Sequence, residues 1–407
     1  MLGTCVVGGG PAGLMASIQA ADQGRSVLLI EKNSSPGKKL LLTGKGRCNL
    51  TSTLRPKEVI DKVFVSASFL YGALYRFTPN NTCEFFTRRG LKLKEERGRR
   101  IYPQSDNAED VKNVLLSAAR SSGVEIMTDT EADRLMIDKE GRCRGIITQS
   151  GEGVEAERTI LAAGGMTYPH TGSDGSGFKL SKEAGHSLKP QPAPALVPLK
   201  VRENWPTQAE GLKLKNIRLS LCRDEEVVYS DIGEVKLKQN EIAGSLALAA
   251  SCYFEHIEDI NCRISLDLKP GLSLKKLDKR LQRDFKKYHN KLFKNSLNDL
   301  LPSQMLPIAI NLSGVPADKR VHQIKREERL KLAKTMKNLT ATVVDKAGPE
   351  RAIITMGGVD TDEVNPASME SRLIPDLYFA GEVLAPAAHT GGHNLQIAFS
   401  TGYVAGK

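Results

Sequence analysis

Three glycines near the amino terminus, Gly8, Gly10 and Gly13, have the spacing G-x-G-x-x-G. In this spacing the first glycine makes a tight turn from a strand into a helix, the second lets the backbone approach a pyrophosphate, and the third lets the helix pack on the strand. Glu31 follows 18 residues after Gly13, where its carboxylate can accept hydrogen bonds from ribose hydroxyls. The pattern predicts a dinucleotide site. The acid favours FAD or NAD because it repels the 2′-phosphate of NADP.

The residues around this turn have the character that it requires. Thr4–Val7 and Ser26–Ile30 are short apolar segments typical of buried strands, and Leu14–Asp22 is an alanine-rich segment typical of a helix. Pro11 and Ala12 open the helix, whose first N–H groups and positive dipole end bind phosphate. We therefore predict a β-α-β unit at the start of the chain.

A second glycine–acid turn lies near the carboxyl terminus, where the apolar strand Leu377–Ala380 runs into Gly381 and Glu382. Flavoproteins with two dinucleotide folds place such a turn beside the ribityl chain and pyrophosphate of FAD. Their next helix directs its amino terminus at the flavin N1/O2 edge, where negative charge gathers on reduction. The residues that open the corresponding helix here are Gly392, Asn394 and Leu395. The two ends of the sequence together predict a single FAD site.

The bulk composition is that of a globular chain with more than one domain. The 407 residues exceed one simple core, and no stretch reaches the roughly 18 consecutive apolar residues that cross a bilayer. No signal peptide is recognisable, so we expect a cytoplasmic protein without membrane attachment. The seven cysteines form no CxxC pair and are odd in number, so neither a metal site nor a disulfide framework is expected.

A proline-rich segment at 189–194 marks a change of composition. We therefore divide the chain into the first part of an FAD-binding domain (1–190), an inserted domain (191–342) and the second part of the FAD-binding domain (343–407). The insert begins with short strands and contains a basic, helical part at about 273–337. Helical spacing is present at 57–73, 107–121, 273–300, 317–337 and 394–405.

The chain resembles the BaiN/RdsA family of NAD(P)/FAD-dependent flavoproteins, also called YhiN-like, over essentially its whole length. The motifs that carry the resemblance lie at 8–13, 36–39, 43–49, 168–175, 185–186, 357–359, 368–371, 377–384 and 391–396. The most specific are Gly-Arg-Cys-Asn at 46–49 and Gly-Gly-His-Asn-Leu-Gln at 391–396. The resemblance implies an α/β fold: a discontinuous, Rossmann-like FAD domain of the two-dinucleotide-binding type, with an inserted β-barrel and helical domain.

Further FAD-binding candidates lie within or beside these motifs. They are Lys32, Lys39, Gly46, Arg47, Asn49, Ala163 and Gly164. The chain also departs from the family pattern near the expected flavin edge. Ala385-Pro386-Ala387 stands where the family usually has Asp-x-Asp, and His393 stands where it usually has Tyr or Phe.

Positive charge is concentrated in two segments. Residues 263–337 hold 19 Lys or Arg against 7 Asp or Glu, a net +12, and residues 88–100 hold seven basic residues against two acidic ones. Concentrated positive charge suits a polyanion such as RNA, whereas the ordinary alternative is a solvated helix face. Members of the family are associated with reduction of a uridine in large-subunit ribosomal RNA, with bile-acid dehydroxylation steps and with small-amine oxidation. The basic insert favours ribosomal RNA as the partner.

The reaction that the resemblance implies is reduction of the flavin by NAD(P)H, hydride transfer to C6 of a uridine flipped out of its stack, and protonation of C5 by a protein acid. Two other functions remain open. One is a flavin oxidase or dehydrogenase of a small amine or steroid-like molecule, and the other is a non-enzymatic, RNA-associated flavoprotein.

Two residues are candidates for the proton donor. Cys48 lies beside Arg47, whose charge is expected to lower the thiol pKa. If Cys48 is the acid, the Cys48→Ala variant keeps FAD and loses turnover; the alternative is a small residue packed under the flavin. His393 is the second candidate, although a helix amino terminus disfavours its protonation. His170 and His186 are expected to be structural or loop residues.

Overall fold

The computed structural model describes residues 1–224, 226–253 and 262–407. It divides the chain into two compact units, 1–195 with 349–407 and 196–348. Among the described residues, every helix is too short or too polar to span a bilayer.

The first stretch of unit 1 contains twelve strands and six helices. They are β1 Thr4–Val7, α1 Pro11–Asp22, β2 Val27–Ile30, β3 Thr51–Ser52, α2 Pro56–Ile60, β4 Val63–Val65, α3 Tyr71–Arg76, α4 Pro79–Thr87, β5 Leu93–Glu96, β6 Arg100–Pro103, α5 Ala108–Ser121, β7 Glu125–Met127, β8 Ala132–Ile137, β9 Cys143–Thr148, β10 Gly153–Glu155, β11 Thr159–Leu161, α6 Ser176–Glu183 and β12 Ala193–Ala195.

In the described part of unit 2, six strands and five helices follow. They are β13 Leu199–Val201, α7 Trp205–Gln208, β14 Lys213–Arg223, β15 Glu226–Lys238, β16 Glu241–Ala243, α8 Ser245–Ala250, β17 Cys262–Asp267, α9 Leu274–Lys287, α10 Leu306–Ser313, α11 Arg326–Lys337 and β18 Leu339–Lys346. The chain then returns to unit 1 with β19 Ile354–Met356, β20 Leu377–Phe379, β21 Ala387–Ala388 and α12 His393–Ala405.

A five-stranded parallel sheet forms the centre of unit 1, in the order β20-β11-β1-β2-β7. Every residue of β1, β2, β11 and β20 is buried, as expected for parallel strands covered on both faces. The first strand of the chain is therefore separated from β20, close to the end of the chain, by a single strand. This order confirms the predicted α/β, Rossmann-like fold class.

Unit 2 contains a closed antiparallel barrel in the order β13-β16-β15-β14-β17-β18. The helices α9, α10 and α11 form its helical part, and buried side chains such as Leu277, Leu281 and Phe285 of α9 belong to the hydrophobic core of the unit. The implied combination of a β-barrel with helices is confirmed.

Several details of the predicted organisation differ from the structure. The helical segments predicted at 273–300 and 317–337 are shorter, because α9 ends at Lys287 and α11 begins at Arg326. The segment 57–73 is not one helix, because β4 separates α2 from α3 and pairs with β21. The chain leaves unit 2 near residue 348 rather than 342, because β18 continues to Lys346 and pairs with Leu199 of β13. The strand character near 342 belongs to the barrel.

A buried hydrogen-bond chain fixes the segment that follows α6 to the segment that precedes β20. His186 Nδ1 lies 3.0 Å from Glu363 Oε2, and His186 Nε2 lies 2.8 Å from Ser371 Oγ. The ring also packs edge-on against Phe379 of β20, with ring centroids 4.8 Å apart. His186 is therefore a structural residue of this unit.

Burial lowers the pKa of His186. Burial alone would raise the pKa of Glu363, but hydrogen bonds from Ser187 and His186 outweigh it and lower that pKa. Both groups therefore bind protons more tightly after unfolding, so acid favours the unfolded chain. The stabilisation from His186 is complete above about pH 6.5 and is lost as the pH falls toward its folded pKa.

We expect His186→Ala to lower the free energy of unfolding by about 3 kcal/mol at pH 7.5, because it removes the two hydrogen bonds of the ring with Glu363 and Ser371 and its packing against Phe379. The difference in stability between pH 7.5 and pH 5.5 should also shrink in this variant. Urea unfolding at both pH values measures these effects, with the exposed His170→Ala as the control. Equal stability of the two variants would contradict the structural role.

Candidate functional site

The glycine turn between β1 and α1 leaves almost no space at two of its glycines and open space at the third. A Cβ atom on Gly8 would lie 2.5 Å from the Ala162 carbonyl oxygen, and one on Gly13 would lie 1.9 Å from the Gly8 carbonyl oxygen. A Cβ atom on Gly10 meets no protein atom within 4 Å among the described residues. The fold itself therefore requires Gly8 and Gly13, whereas the space at Gly10 is available to a ligand.

Residues from three parts of the chain meet at this turn. Ala163 contributes its backbone, whose Cα lies 2.8 Å from a Cβ position on Gly8, and Gly164 follows it with φ of 79°. A Cβ on Gly381 would lie 2.6 Å from Ala12 Cβ, so the late glycine turn contacts the first turn of α1. Pro11 is the first residue of that helix, which carries no side-chain cap at its amino terminus.

Glu31, at the end of β2, is 7% exposed and holds the glycine turn in place. Its Oε2 accepts a hydrogen bond from Gly9 N at 2.8 Å, and its Oε1 accepts from the backbone and side chain of Asn33 at 2.8 and 2.6 Å. The carboxylate therefore lies directly beside the phosphate-binding turn. Its predicted contact with ribose hydroxyls remains a prediction.

Two predicted lysines are paired with acids. Lys39 Nζ lies 2.7 Å from Glu382 Oε2 and donates to Thr167 Oγ1 at 2.7 Å. Glu382 Oε1 in turn accepts from Thr355 N at 2.6 Å. Lys32 Nζ lies 2.6 Å from Asp174 Oδ2. The Lys39–Glu382 pair thus joins the loop after β2 to the turn after β20.

The amino terminus of α12 is held by the loop that carries the Gly-Arg-Cys-Asn motif. With its amide oriented so that both atoms are satisfied, Asn49 accepts from Gly392 N at 2.9 Å and donates to Thr51 O at 3.0 Å. A Cβ on Gly392, whose φ is 85°, would lie 2.6 Å from Thr51 O. Asn394 binds both backbone groups of Ala388, accepting at 2.9 Å and donating at 2.7 Å.

His393 carries a buried polar atom without a partner. The residue is 5% exposed, and its Nδ1 has no hydrogen-bond partner in the described part of the chain. Burial, followed by the nearby charges of Lys62, His389 and Arg100, lowers the pKa of His393 to about 4. The imidazole is therefore neutral at pH 7 and is no ready proton donor.

The predicted effect of Arg47 on Cys48 is wrong. The Arg47 guanidinium binds Glu96 and Asp106 and lies over the Tyr102 ring. Cys48 is completely buried, and burial raises the pKa of its thiol to about 12 despite a hydrogen bond with Thr43. This placement favours the alternative in which Cys48 is a small packing residue.

The remaining predicted residues have backbone or packing positions. Gly46 has φ of 84°, and its carbonyl oxygen accepts from Ala108 N at the start of α5. Leu395 is partly buried against the core of unit 1. Sequence reasoning missed Gln396 as a positioning residue, although it lies in the Gly-Gly-His-Asn-Leu-Gln motif. Its buried amide binds Thr51, Thr82, Ser400 and the Phe77 carbonyl.

These features fit FAD. The open position at Gly10 and the uncapped start of α1 would hold the pyrophosphate, and Glu31 lies where the adenosine ribose would bind. The start of α12 also has no side-chain cap and carries the unpartnered His393 Nδ1, which suits an acceptor-rich flavin edge. No group of three metal-binding side chains occurs among the residues described.

The fold and site define a Rossmann-type flavoprotein of the oxidoreductase class. The chain belongs to the HI0933-like family, since the family model described as "HI0933-like protein Rossmann domain" matches residues 3–407.

Two relatives agree with this assignment, and one solved structure has a similar fold. A 3-dehydro-bile acid delta(4,6)-reductase of Clostridium scindens is 32% identical over 409 residues, covering 99% of this chain and 97% of that protein. A ribosomal RNA dihydrouridine synthase of Escherichia coli is 26% identical, covering 98% of this chain and 95% of that protein. A 3-ketosteroid delta1-dehydrogenase of Sterolibacterium denitrificans has a similar fold, with a TM-score of 0.53, 14% identity, and coverage of 100% of this chain and 98% of that one.

We expect Gly10→Ala to keep the stability of the cofactor-free protein, because the new methyl group meets no protein atom. The same methyl group would stand where the pyrophosphate approaches, so the Kd for FAD should rise at least about tenfold. Flavin fluorescence titration measures the affinity, and Gly271→Ala, at another open glycine, is the control. Unchanged FAD affinity in Gly10→Ala would contradict this site.

Proposed function

We propose that this protein uses NAD(P)H and FAD to reduce a uridine of large-subunit ribosomal RNA to dihydrouridine. The observation that carries the proposal is a face of exposed, unpaired cations on α9. Within the described residues, the acids of this helix pair with other cations, in Arg280–Asp284 and Arg329–Asp278. Five exposed cations of α9 have no carboxylate within 4 Å among the residues that the structure describes, namely Lys275, Lys276, Lys279, Arg283 and Lys286.

The spacing of these cations places them on one side of the helix. Lys275, Lys279, Arg283 and Lys286 follow one another at intervals of four, four and three residues, opposite the buried Leu277 and Leu281. A row of unpaired charges from Lys275 to Lys286 can contact successive phosphates of a nucleic acid backbone. On an ordinary solvated helix face, basic side chains can pair with neighbouring acids, so there is no reason to keep them apart from acidic residues.

The second basic segment gives weaker support. In 88–100, Arg88 pairs with Glu84, Lys94 with Asp106, and Arg99 with Glu58. The charge of three of its seven basic residues is therefore compensated within the unit. We assign RNA contact mainly to segment 263–337 and a smaller part to 88–100.

The proposed reaction assigns separate tasks to the chain. The glycine turn and Glu31 would hold the adenosine diphosphate part of FAD, and Lys39 with Glu382 would hold the ribityl part. Bound FAD supplies hydride-transfer chemistry. The uncapped start of α12 would stabilise negative charge on a bound flavin, and the neutral His393 would serve as a hydrogen-bonding rather than a proton-donating group.

A second candidate function is reduction of a steroid-like substrate. The observation that favours it is the identity of 32% to the bile-acid reductase, against 26% to the dihydrouridine synthase. Both names denote the saturation of a carbon–carbon double bond, so the same flavin site serves either proposal. The cation row on α9 gives preference to RNA.

The test compares dihydrouridine in ribosomal RNA from cells with and without this protein by mass spectrometry of nuclease digests. We expect loss of one dihydrouridine and its return with the wild-type chain. The variant Lys275→Gln/Lys279→Gln/Arg283→Gln should restore the dihydrouridine at least about tenfold more slowly than the wild-type chain does, because it lacks three contacts to phosphates. A matched control is Lys213→Gln/Lys215→Gln/Arg218→Gln, which removes equal exposed charge from β14.

An unchanged dihydrouridine content in cells without the protein overturns the RNA proposal. Reoxidation of the reduced holoenzyme by a 3-oxo-4-ene steroid acid, together with no reoxidation by ribosomal RNA, would establish the second candidate instead.

The buried position of Cys48 generates a separate prediction. We expect Cys48→Ala to retain turnover within about threefold and to lose about 1 kcal/mol of stability, as for a small cavity in a packed loop. Single-turnover reoxidation of the reduced holoenzyme measures the rate, and Cys252→Ala in unit 2 is the control. Loss of turnover with FAD retained would make Cys48 the proton donor after all.

A further inference from the structure

Unit 2 contains a groove of about 680 Å³ whose lining residues take no part in the proposed reaction or in the cation row on α9. Its floor is apolar and nearly buried, formed by Leu306 and Ile310 of α10 and by Val315 of the following turn. Its rim is exposed and polar, with Lys294, Asn295 and Asn311 among the lining residues. An apolar floor with a few polar rim groups is the usual composition of a small-ligand site.

The walls of the groove are fixed by hydrogen bonds of the backbone. Lys294 N donates to Ala317 O at 3.0 Å, which ties the two sides together. Ser313 Oγ accepts from Val315 N at 3.2 Å and donates to Ile310 O at 2.7 Å, which fixes the turn after α10. The groove is therefore preformed, and a ligand need not order it on binding.

The polar side chains at the rim lack hydrogen-bond and ion-pair partners among the described residues. In the described part of the chain, the side-chain amides of Asn295 and Asn311 have no hydrogen-bond partner, and Lys294 has no carboxylate within 4 Å. Lys331 of α11 adds a second cation with no ion-pair partner among the described residues, and its Nζ lies 2.7 Å from the position that a Cβ of Gly314 would occupy. None of the residues lining the groove is acidic.

We propose that this groove binds one unstacked nucleotide of single-stranded RNA, which rests on the proposed function and adds a base-reading subsite to it. The apolar floor covers the face of the base, and the two amides pair with its edge. Lys294 and Lys331 contact the adjoining phosphates. Sequence-dependent RNA recognition commonly combines these three contacts, because bases of single strands expose both their faces and their edges.

The amide variant tests recognition of the base. In Asn295→Leu/Asn311→Leu the side chains keep a similar size but lose their hydrogen bonds, and both positions are exposed, so the fold is preserved. Binding of a fluorescent ten-nucleotide oligouridylate to the FAD-loaded full chain is measured by anisotropy. We expect about tenfold weaker binding, with an unchanged salt dependence. Asn298→Leu, at an exposed amide outside the groove lining, is the control.

The charge variant tests the phosphate contacts. Lys294→Gln/Lys331→Gln should reduce the slope of log affinity against log salt by about 1.4, since each phosphate contact with single strands contributes roughly 0.7. Duplex RNA is the control ligand for the amide variant described above. A ten-base-pair duplex should bind that variant as tightly as it binds the wild type, because the bases of a duplex cannot enter the groove.

The outcomes separate this inference from the proposed function. Single-strand binding that weakens in the α9 variant but not in either groove variant overturns the groove and leaves the RNA proposal intact. Equal weakening of single-strand and duplex binding by the amide variant also overturns base recognition. Absence of RNA binding by the wild-type chain overturns both proposals.

Discussion

The architecture of unit 1 depends on close contact between the first and last parts of the chain at Ala12. Gly381 lies where a Cβ would be 2.6 Å from Ala12 Cβ, and Gly402 of α12 lies where a Cβ would be 2.3 Å from the Ala12 carbonyl oxygen. Any larger side chain at either glycine would push α12 and the turn after β20 away from the phosphate-binding turn. The candidate flavin site draws residues from both ends of the chain, so the distances between these residues depend on this contact.

The same constraint explains which parts of the site the sequence could predict. Gly8, Gly13 and Gly392 are required by the close approach of backbone atoms, and Gly381 by the close approach of the Ala12 side chain. Close approach of this kind leaves a readable pattern of glycines at fixed spacing. The fold class and the family were therefore predictable, and both are confirmed. The roles of individual side chains toward FAD remain predictions.

What could not be predicted depends on partners that are distant in sequence. The acids that bind Arg47 lie 49 and 59 residues further along, so its charge is directed away from Cys48. Burial is likewise a property of the folded chain, and it reversed the expected direction of the Cys48 pKa. The boundary near 348 was not predicted because the sequence of an apolar strand does not show which sheet the strand joins.

The chain leaves and rejoins unit 1 through neighbouring strands. β12, just before the departure, pairs antiparallel with β19, just after the return, with Ala195 opposite Ile354. Within unit 2 the first and last strands, β13 and β18, are paired in the same way, with Leu199 opposite Lys346. In each unit, the strands on either side of the point where the chain enters or leaves are thus paired with each other. A different inserted domain could therefore replace unit 2 in evolution without any change in the strand order of the parallel sheet. Such an exchange would let one type of flavin domain act on chemically unrelated substrates.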